Sequence, residues 1–141
     1  MGLANFISED QLMRKILATV VFIFSISSAA AAPVRSGDIY MIDGDTADIG
    51  GQRYRLVGYD TPETYKPRCD YEKALGTEAT RRARELVRMA GSVEIVVLPG
   101  RDKYGRGLAR MFIRGDDIAN ILVSEGLARR YQGGRRSSWC R

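Results

Sequence analysis

The sequence contains no histidine. That single absence removes Ser-His and Cys-His nucleophilic pairs, histidine-ligated metal hydrolases and imidazole acid–base pairs. Cysteine is nearly as scarce: only Cys69 and Cys140 occur, with no Cys-x-x-Cys pair, too few for a structural zinc site. No internal repeat and no low-complexity linker is visible. The balance of 28% charged to 45% apolar residues excludes collagen, low-complexity disorder and a polytopic membrane protein. Any hydrolytic chemistry must therefore rest on carboxylates, Arg, Lys, Tyr, hydroxyls or a hard metal held by oxygens. What is present in excess is positive charge. Lys and Arg number 22 against 17 Asp and Glu, a net +5, which suits a polyanionic partner.

Near the N-terminus, Arg14-Lys15 precedes an apolar run from Ile16 to Ile26, then Ser27-Ser28 and the alanines 29–32 before Pro33. A basic region, a short apolar core and small residues describe a secretory signal peptide, residues 1–31, with cleavage after Ala31. Met13, directly before Arg14, is an alternative start. The competing reading is an uncleaved membrane anchor, but the run falls short of the roughly 20 apolar residues that a span needs. The expected location is secreted or periplasmic. Removing residues 1–31 takes away Glu9, Asp10, Arg14 and Lys15, so the +5 belongs to the remaining domain, residues 32–141.

That remainder reads as one domain with a modest core. Tyr40 to Ile42 is strand-like and runs into Asp43-Gly44-Asp45-Thr46, a turn by composition. Ala47 and Ile49 alternate up to a Gly50-Gly51 hairpin signal, and Arg53 to Tyr59 returns until Pro62 ends it. Residues 64–72 read as a polar loop. Leu75, Ala79, Ala83, Leu86, Val87 and Ala90 then form a helical stripe, with Thr77 as its expected N-cap and Gly91 as its stop. Strands follow at 93–98 and 107–114, then a short helix at about 117–125. The tail 133–138 is flexible by composition. This order suggests a compact α+β barrel.

Four acids stand at turn and strand ends: Asp43, Asp45, Asp60 and Glu63. A hairpin would bring 43–46 near 60–63, and hard oxygen ligands converging from two loops suit Ca²⁺ or Mg²⁺. Each acid alone has an ordinary structural reading, and a strand arginine such as Arg55 is usually just solvated. Asp102-Lys103-Tyr104-Gly105-Arg106 places two cations and an aromatic in one loop, a set suited to phosphate and base.

Taken in register, Asp43-Gly44-Asp45-Thr46, Arg55-Leu56, Asp60-Thr61-Pro62-Glu63 and Asp102 to Ala109 resemble the staphylococcal nuclease (thermonuclease) family, over about residues 37–131. The resemblance implies a mainly β, α+β fold: a five-stranded OB-type barrel with two or three packed helices. It implies Ca²⁺ held by Asp45, Asp60 and the Thr61 carbonyl, with Asp43 behind them. Glu63 would be the general base, and Arg55 and Arg106 would grip the phosphate. Lys103, Tyr104 and Tyr131 would contact the nucleotide. The implied activity is hydrolysis of DNA and RNA with little sequence preference, leaving 3′-phosphates, by a monomer needing no protein partner.

The chemistry fits the composition. A phosphodiester gains negative charge on the way to its transition state, and guanidiniums with a divalent cation stabilise it without imidazole. Departures from the family pattern are the loop around Pro67-Arg68-Cys69, Met111 on a strand, and a C-terminal helix reduced to the region of Trp139. A non-catalytic OB-type binding module is the competing function, but such a copy should have lost some of Asp45, Asp60, Glu63, Arg55 or Arg106. All five are present. Finally, an even cysteine pair in an exported chain favours a Cys69–Cys140 disulfide over two free thiols.

Overall fold

Two successive tight turns shape the first half of the fold. The computed structural model describes residues 31–141, so the stretch read as a signal peptide, residues 1–31, lies outside the described residues apart from Ala31. Strands β2 (Ile39–Asp43), β3 (Thr46–Ile49) and β4 (Gln52–Leu56) form an antiparallel meander, with the Asp-Gly pair and the Gly-Gly pair at its corners. A strand β1 (Ala32–Arg35) precedes it, separated from β2 by a single 3₁₀ turn at Ser36–Asp38. Further along lie β6 (Ser92–Arg101) and β7 (Gly107–Ile113), with β5 (Gly58–Asp60) upstream of them. The main sheet runs β1-β6-β7-β4-β3-β2, and β4 pairs β7 in parallel. Its two ends are consecutive in the chain, so the sheet curls round as an OB-type half-barrel. A short β8 (Asp116–Asp117) adds to β7, and β5 pairs separately with β9 (Arg129–Tyr131). Residues Ala31–Arg141 form one compact unit.

The returning segment 53–59 is not one strand. After Val57, whose N–H donates to the Ala109 carbonyl at 3.0 Å, the chain turns at Gly58 with φ 94°. Only glycine adopts that value without strain. The turn carries β5 out of the main sheet to meet β9, which places Asp60 at a strand end beyond the barrel rim.

The long helix α1 (Asp70–Ala90) starts earlier than the sequence suggests. Cys69, not Thr77, is its N-cap, its sulfur accepting from the Glu72 N–H at 3.5 Å. Thr77 lies inside the helix, its hydroxyl donating to the Lys73 carbonyl at 2.8 Å. The first turn carries Asp70 and Glu72, which suit the positive end of the helix dipole. Ala79, Ala83 and Val87 of the expected stripe are buried against the inside of the sheet, with Leu75, Leu86 and Ala90 at the margin. Gly76 is small for a reason: a Cβ there would lie 2.6 Å from the Pro62 carbonyl oxygen. Its absence lets the 62–64 loop press against the helix.

A second helix, α2 (Ile118–Ser124), caps the other side of the core, with Asp117 accepting from the Ala119 N–H at 2.8 Å. Met41, Leu56, Met111, Ile118 and Leu122 are each 1% exposed or less. Burying side chains of this size stabilises the fold by about 1.5–3 kcal/mol each. The tail is held rather than loose. Cys69 and Cys140 are joined by a disulfide, Trp139 is buried, and the Arg129 guanidinium stacks 3.7 Å from the Trp139 ring centre. Composition missed this because glycine and serine encode freedom only where nothing distant ties the chain down.

Candidate active site

The turn between β2 and β3 is assembled against the end of β5. Asp43 Oδ1 accepts from the Asp45 N–H at 3.0 Å, which aims the Asp45 side chain inward. Asp45 Oδ2 then accepts from the Thr61 N–H at 2.9 Å, and the Tyr59 hydroxyl donates to the Gly44 carbonyl at 2.8 Å. Gly44 lies so close to Thr61 that a Cβ would meet its Cγ2 at 2.6 Å. Glycine is what allows the two segments to touch.

Between them sits Arg55. It lies on the strand face opposite Leu56, as the alternation predicts, yet it is buried rather than solvated, because β5 folds over it. One terminal nitrogen lies 2.8 Å from Asp45 Oδ1 and donates to the Asp45 and Leu56 carbonyls; the other donates to the Tyr59 carbonyl at 2.9 Å and to Asp60 Oδ1 at 3.5 Å. One guanidinium thus bridges two buried carboxylates. Burial pushes the Asp60 carboxyl above its ordinary value. Burial, and then the neighbouring Asp45 charge, raises Asp43 to about 6. The charge of Asp45 adds to burial in both shifts, while Arg136 and Arg55 pull Asp60 the other way.

Among the described residues no three Asp, Glu or Cys side chains converge as a ready metal cage. Asp45 and Asp60 are linked through Arg55, and Asp43 accepts from the Asp45 main chain, while Glu63 stands apart on the exposed loop. The residues that could hold Ca²⁺ are Asp45 and Asp60 with the Thr61 main chain beside them. These are hard oxygen donors short of a full shell, which suits an ion that also accepts carbonyls and water. The donor set fits.

Glu63 Oε1 accepts from the Thr64 and Tyr65 N–H groups, both at 2.9 Å. Behind it, buried Glu72 on α1 accepts from the Glu63 N–H at 3.5 Å and from the Arg68 N–H at 2.7 Å. Glu72 therefore braces the recast loop, a role its helical spacing did not announce.

The Asp102–Arg106 loop closes from the opposite side. Asp102 accepts from the Tyr104 and Arg106 N–H groups at 2.9 Å and from Arg106 Nε at 2.6 Å. Arg106 also reaches the Thr46 hydroxyl at 3.0 Å, which ties the loop to the Asp45 turn. Tyr104 is exposed, with Lys103 and Arg106 set 5.0 and 5.4 Å from its ring centre. Arg55, Lys103, Tyr104, Arg106 and Tyr131 line one open cavity of about 530 Å³. Sequence reading had singled out all five.

It had not singled out Arg136. This tail residue lies on the same cavity wall and also pairs with Asp60 Oδ1 at 3.1 Å. The only signal for it was indirect: a cysteine four residues downstream that could tether the tail.

Comparison with known proteins agrees with this arrangement. The profile of the staphylococcal nuclease homologues matches residues 53–138. Endonuclease YncB of Bacillus subtilis is 42% identical over 96 residues, covering 62% of this chain and 44% of that protein. A thermonuclease of Staphylococcus intermedius is 38% identical over 97 residues, covering 68% of this chain and 55% of that protein. The succinoglycan biosynthesis protein ExoI of Rhizobium meliloti is 30% identical over 125 residues, covering 82% and 62%. The chain spans about half the length of these relatives, between 44% and 62%. Its curled OB-type sheet, the arginine bridging two turn carboxylates and the matched stretch from β4 to the tail lead to one conclusion: the chain belongs to the family of staphylococcal nuclease homologues.

Proposed function

We propose that this chain is an exported, Ca²⁺-dependent nuclease that hydrolyses phosphodiester bonds in DNA and RNA with little sequence preference, leaving 3′-phosphates. The observation that carries the reading is the placement of Arg55 and Arg106 on one cavity, with the Asp45–Asp60 pair directly behind Arg55.

Asp45, Asp60 and the Thr61 carbonyl would hold Ca²⁺, with Asp43 setting the Asp45 turn. When bound, the cation supplies positive charge beside the phosphate and lowers the pKa of water. The phosphate enters a wall of guanidiniums. Arg106 is held by Asp102 and Thr46, so its planar fork meets the phosphate oxygens already oriented. Arg55 cannot swing away, because its terminal N–H groups are held by three main-chain carbonyls and by Asp45 and Asp60, so it offers the phosphate its Nε and its fixed positive charge. Fixed donors aimed where charge develops stabilise the transition state more than the ground state. Glu63 accepts the proton of the attacking water, through Oε2, since Oε1 is engaged by its own loop. As the water oxygen bonds to phosphorus, the P–O5′ bond breaks in line, the 5′ oxygen takes a proton from solvent to leave as a hydroxyl, and the phosphate stays on the 3′ side. Lys103, Tyr104 and Tyr131 offer charge and ring faces to the flanking nucleotide, contacts that every base can satisfy.

The N-terminal pattern supports export of residues 32–141 to the periplasm or exterior after cleavage at Ala31, and mass spectrometry of the purified N-terminus tests it. For the activity, the purified chain is assayed on single- and double-stranded DNA and RNA in Ca²⁺, Mg²⁺ and EGTA. Cleavage in Ca²⁺, its loss in EGTA, and its loss in Asp45→Ala and Asp60→Ala are the expected results. Binding without cleavage in Ca²⁺ would overturn the enzyme reading in favour of a binding module, and full activity in EGTA would overturn the metal assignment.

A further inference from the structure

Among the described residues, Arg136 is the guanidinium that lines both compartments of the site. It lines the large cavity with Arg55 and Arg106, and also a smaller one of about 150 Å³ with Glu63 and Glu72. Its Nε is 3.1 Å from Asp60 Oδ1, its carbon centre lies 5.6 Å from the Tyr131 ring, and its side chain is 46% exposed. It is therefore anchored at one edge and open at the other. The ion pair with Asp60 engages one edge of the guanidinium, which leaves its other N–H groups for an anion in the cavity.

The anchoring is built from far away. The Tyr131 hydroxyl donates to the Gly134 carbonyl at 2.7 Å, and Arg129 donates to the Ser138 carbonyl at 2.8 Å. Trp139 is buried under Arg129, and Cys140 is bonded to Cys69 just ahead of α1. These ties fix both flanks of Arg136 within a few residues. A solvated tail arginine needs no such support.

We propose that Arg136 is a substrate-binding residue that contacts a phosphate of the nucleic acid, and that it serves as counter-ion to Asp60 until a divalent cation takes that place. This rests on the nuclease reading above and extends it to a residue of the tail. The electrostatics are simple. Asp60 carries both Arg55 and Arg136 on Oδ1, and a divalent cation on the same carboxylate would cancel the charge that holds Arg136 there. Once the cation neutralises it, Arg136 is repelled from that edge and attracted to the polyanion in the cavity. Arg136 therefore opposes the metal when nucleic acid is absent and supports binding when it is present.

The test compares the oxidised parent chain with Arg136→Gln and Arg136→Lys. Calcium affinity is measured by isothermal titration calorimetry without nucleic acid, and KM and kcat on single-stranded DNA at saturating Ca²⁺. Loss of one charge-assisted phosphate contact should raise KM about tenfold in Arg136→Gln, with kcat changed by less than about threefold. The same variant should bind Ca²⁺ at least about threefold more tightly, because a competing positive charge is gone. Arg136→Lys should fall between parent and Arg136→Gln in both readouts. An unchanged KM, or Ca²⁺ affinity that is unchanged or weaker in Arg136→Gln, overturns the proposal. A parent that does not cleave overturns the nuclease reading instead. In that case the calorimetry, with fluorescence anisotropy of a labelled single-stranded oligonucleotide in place of KM, still decides Arg136.

Discussion

The disulfide offers the sharpest quantitative test, because its two cysteines do different jobs. The bridge joins residues 71 apart in sequence. For a loop of that size, chain-entropy arithmetic gives a stabilisation of about 4 kcal/mol, as an upper figure. In a domain of this length that corresponds to a fall in Tm of up to about 15 °C when the bridge is removed. Cys140→Ser removes the bridge and little else. Cys69→Ser also removes it, but Cys69 is the N-cap of α1, where its sulfur accepts from the Glu72 N–H at 3.5 Å. A serine hydroxyl is a better cap acceptor than sulfur, so Cys69→Ser recovers about 0.5–1 kcal/mol of what it loses. The expected order of Tm is parent, then Cys69→Ser, then Cys140→Ser, with both variants several degrees below the parent. Near-UV circular dichroism during heating should also show Trp139, the single tryptophan, losing its fixed surroundings before the far-UV signal falls. If Cys140→Ser melts within about 2 °C of the parent, the tail contributes nothing to the fold. If Cys69→Ser is the less stable of the two, the capping argument is wrong.

Three further outcomes are expected. Arg106→Lys keeps the charge but loses the planar fork held by Asp102 and Thr46, so kcat should fall about 10²-fold or more with a much smaller change in KM, in steady-state kinetics. Wild-type kcat in that variant would make Arg106 a bystander. Gly44→Ala drives a methyl into Thr61 and should destabilise by about 1–3 kcal/mol in urea titration, with Ca²⁺ affinity reduced as the Asp45–Thr61 contact opens; unchanged stability would mean the turn yields easily. Asp43, raised to about 6 in the fold from an ordinary value of 3.8, holds its proton more tightly folded than unfolded. It therefore favours the fold at low pH and costs stability as pH rises from about 4 through 6. In EGTA, the parent should lose more stability than Asp43→Asn between pH 4.5 and 7, read from urea midpoints, and equal losses would remove the claim.

Much of the molecule was legible along the chain because its signals are local. Two glycine-marked turns, a helical stripe ended by Gly91 and a short helix starting near Asp117 each depend on neighbours a few positions away, and each formed where expected. The start of α1 was misplaced, since Thr77 has the composition of a cap, but the bridge and Glu72 stabilise a first turn seven residues upstream. Arg55 was readable as a strand residue and as part of a family pattern. Its burial was not, because that depends on β5 leaving the sheet at Gly58 and folding back over it.

By itself the sequence determined the chemistry that was possible. The absence of histidine, the excess of positive charge and the carboxylates at turn ends are properties of composition and order, and no folding can add a missing imidazole. Only the tertiary structure decided which of those groups share a site. It put Arg55 between Asp45 and Asp60, kept Glu63 on a loop braced by Glu72, and brought Arg136 from a tail 76 residues beyond Asp60 onto the same carboxylate. The reason is physical. Local patterns record each residue's preference for its immediate neighbours, whereas the field at a buried carboxylate is set by whatever charge the packed chain brings within a few ångströms of it.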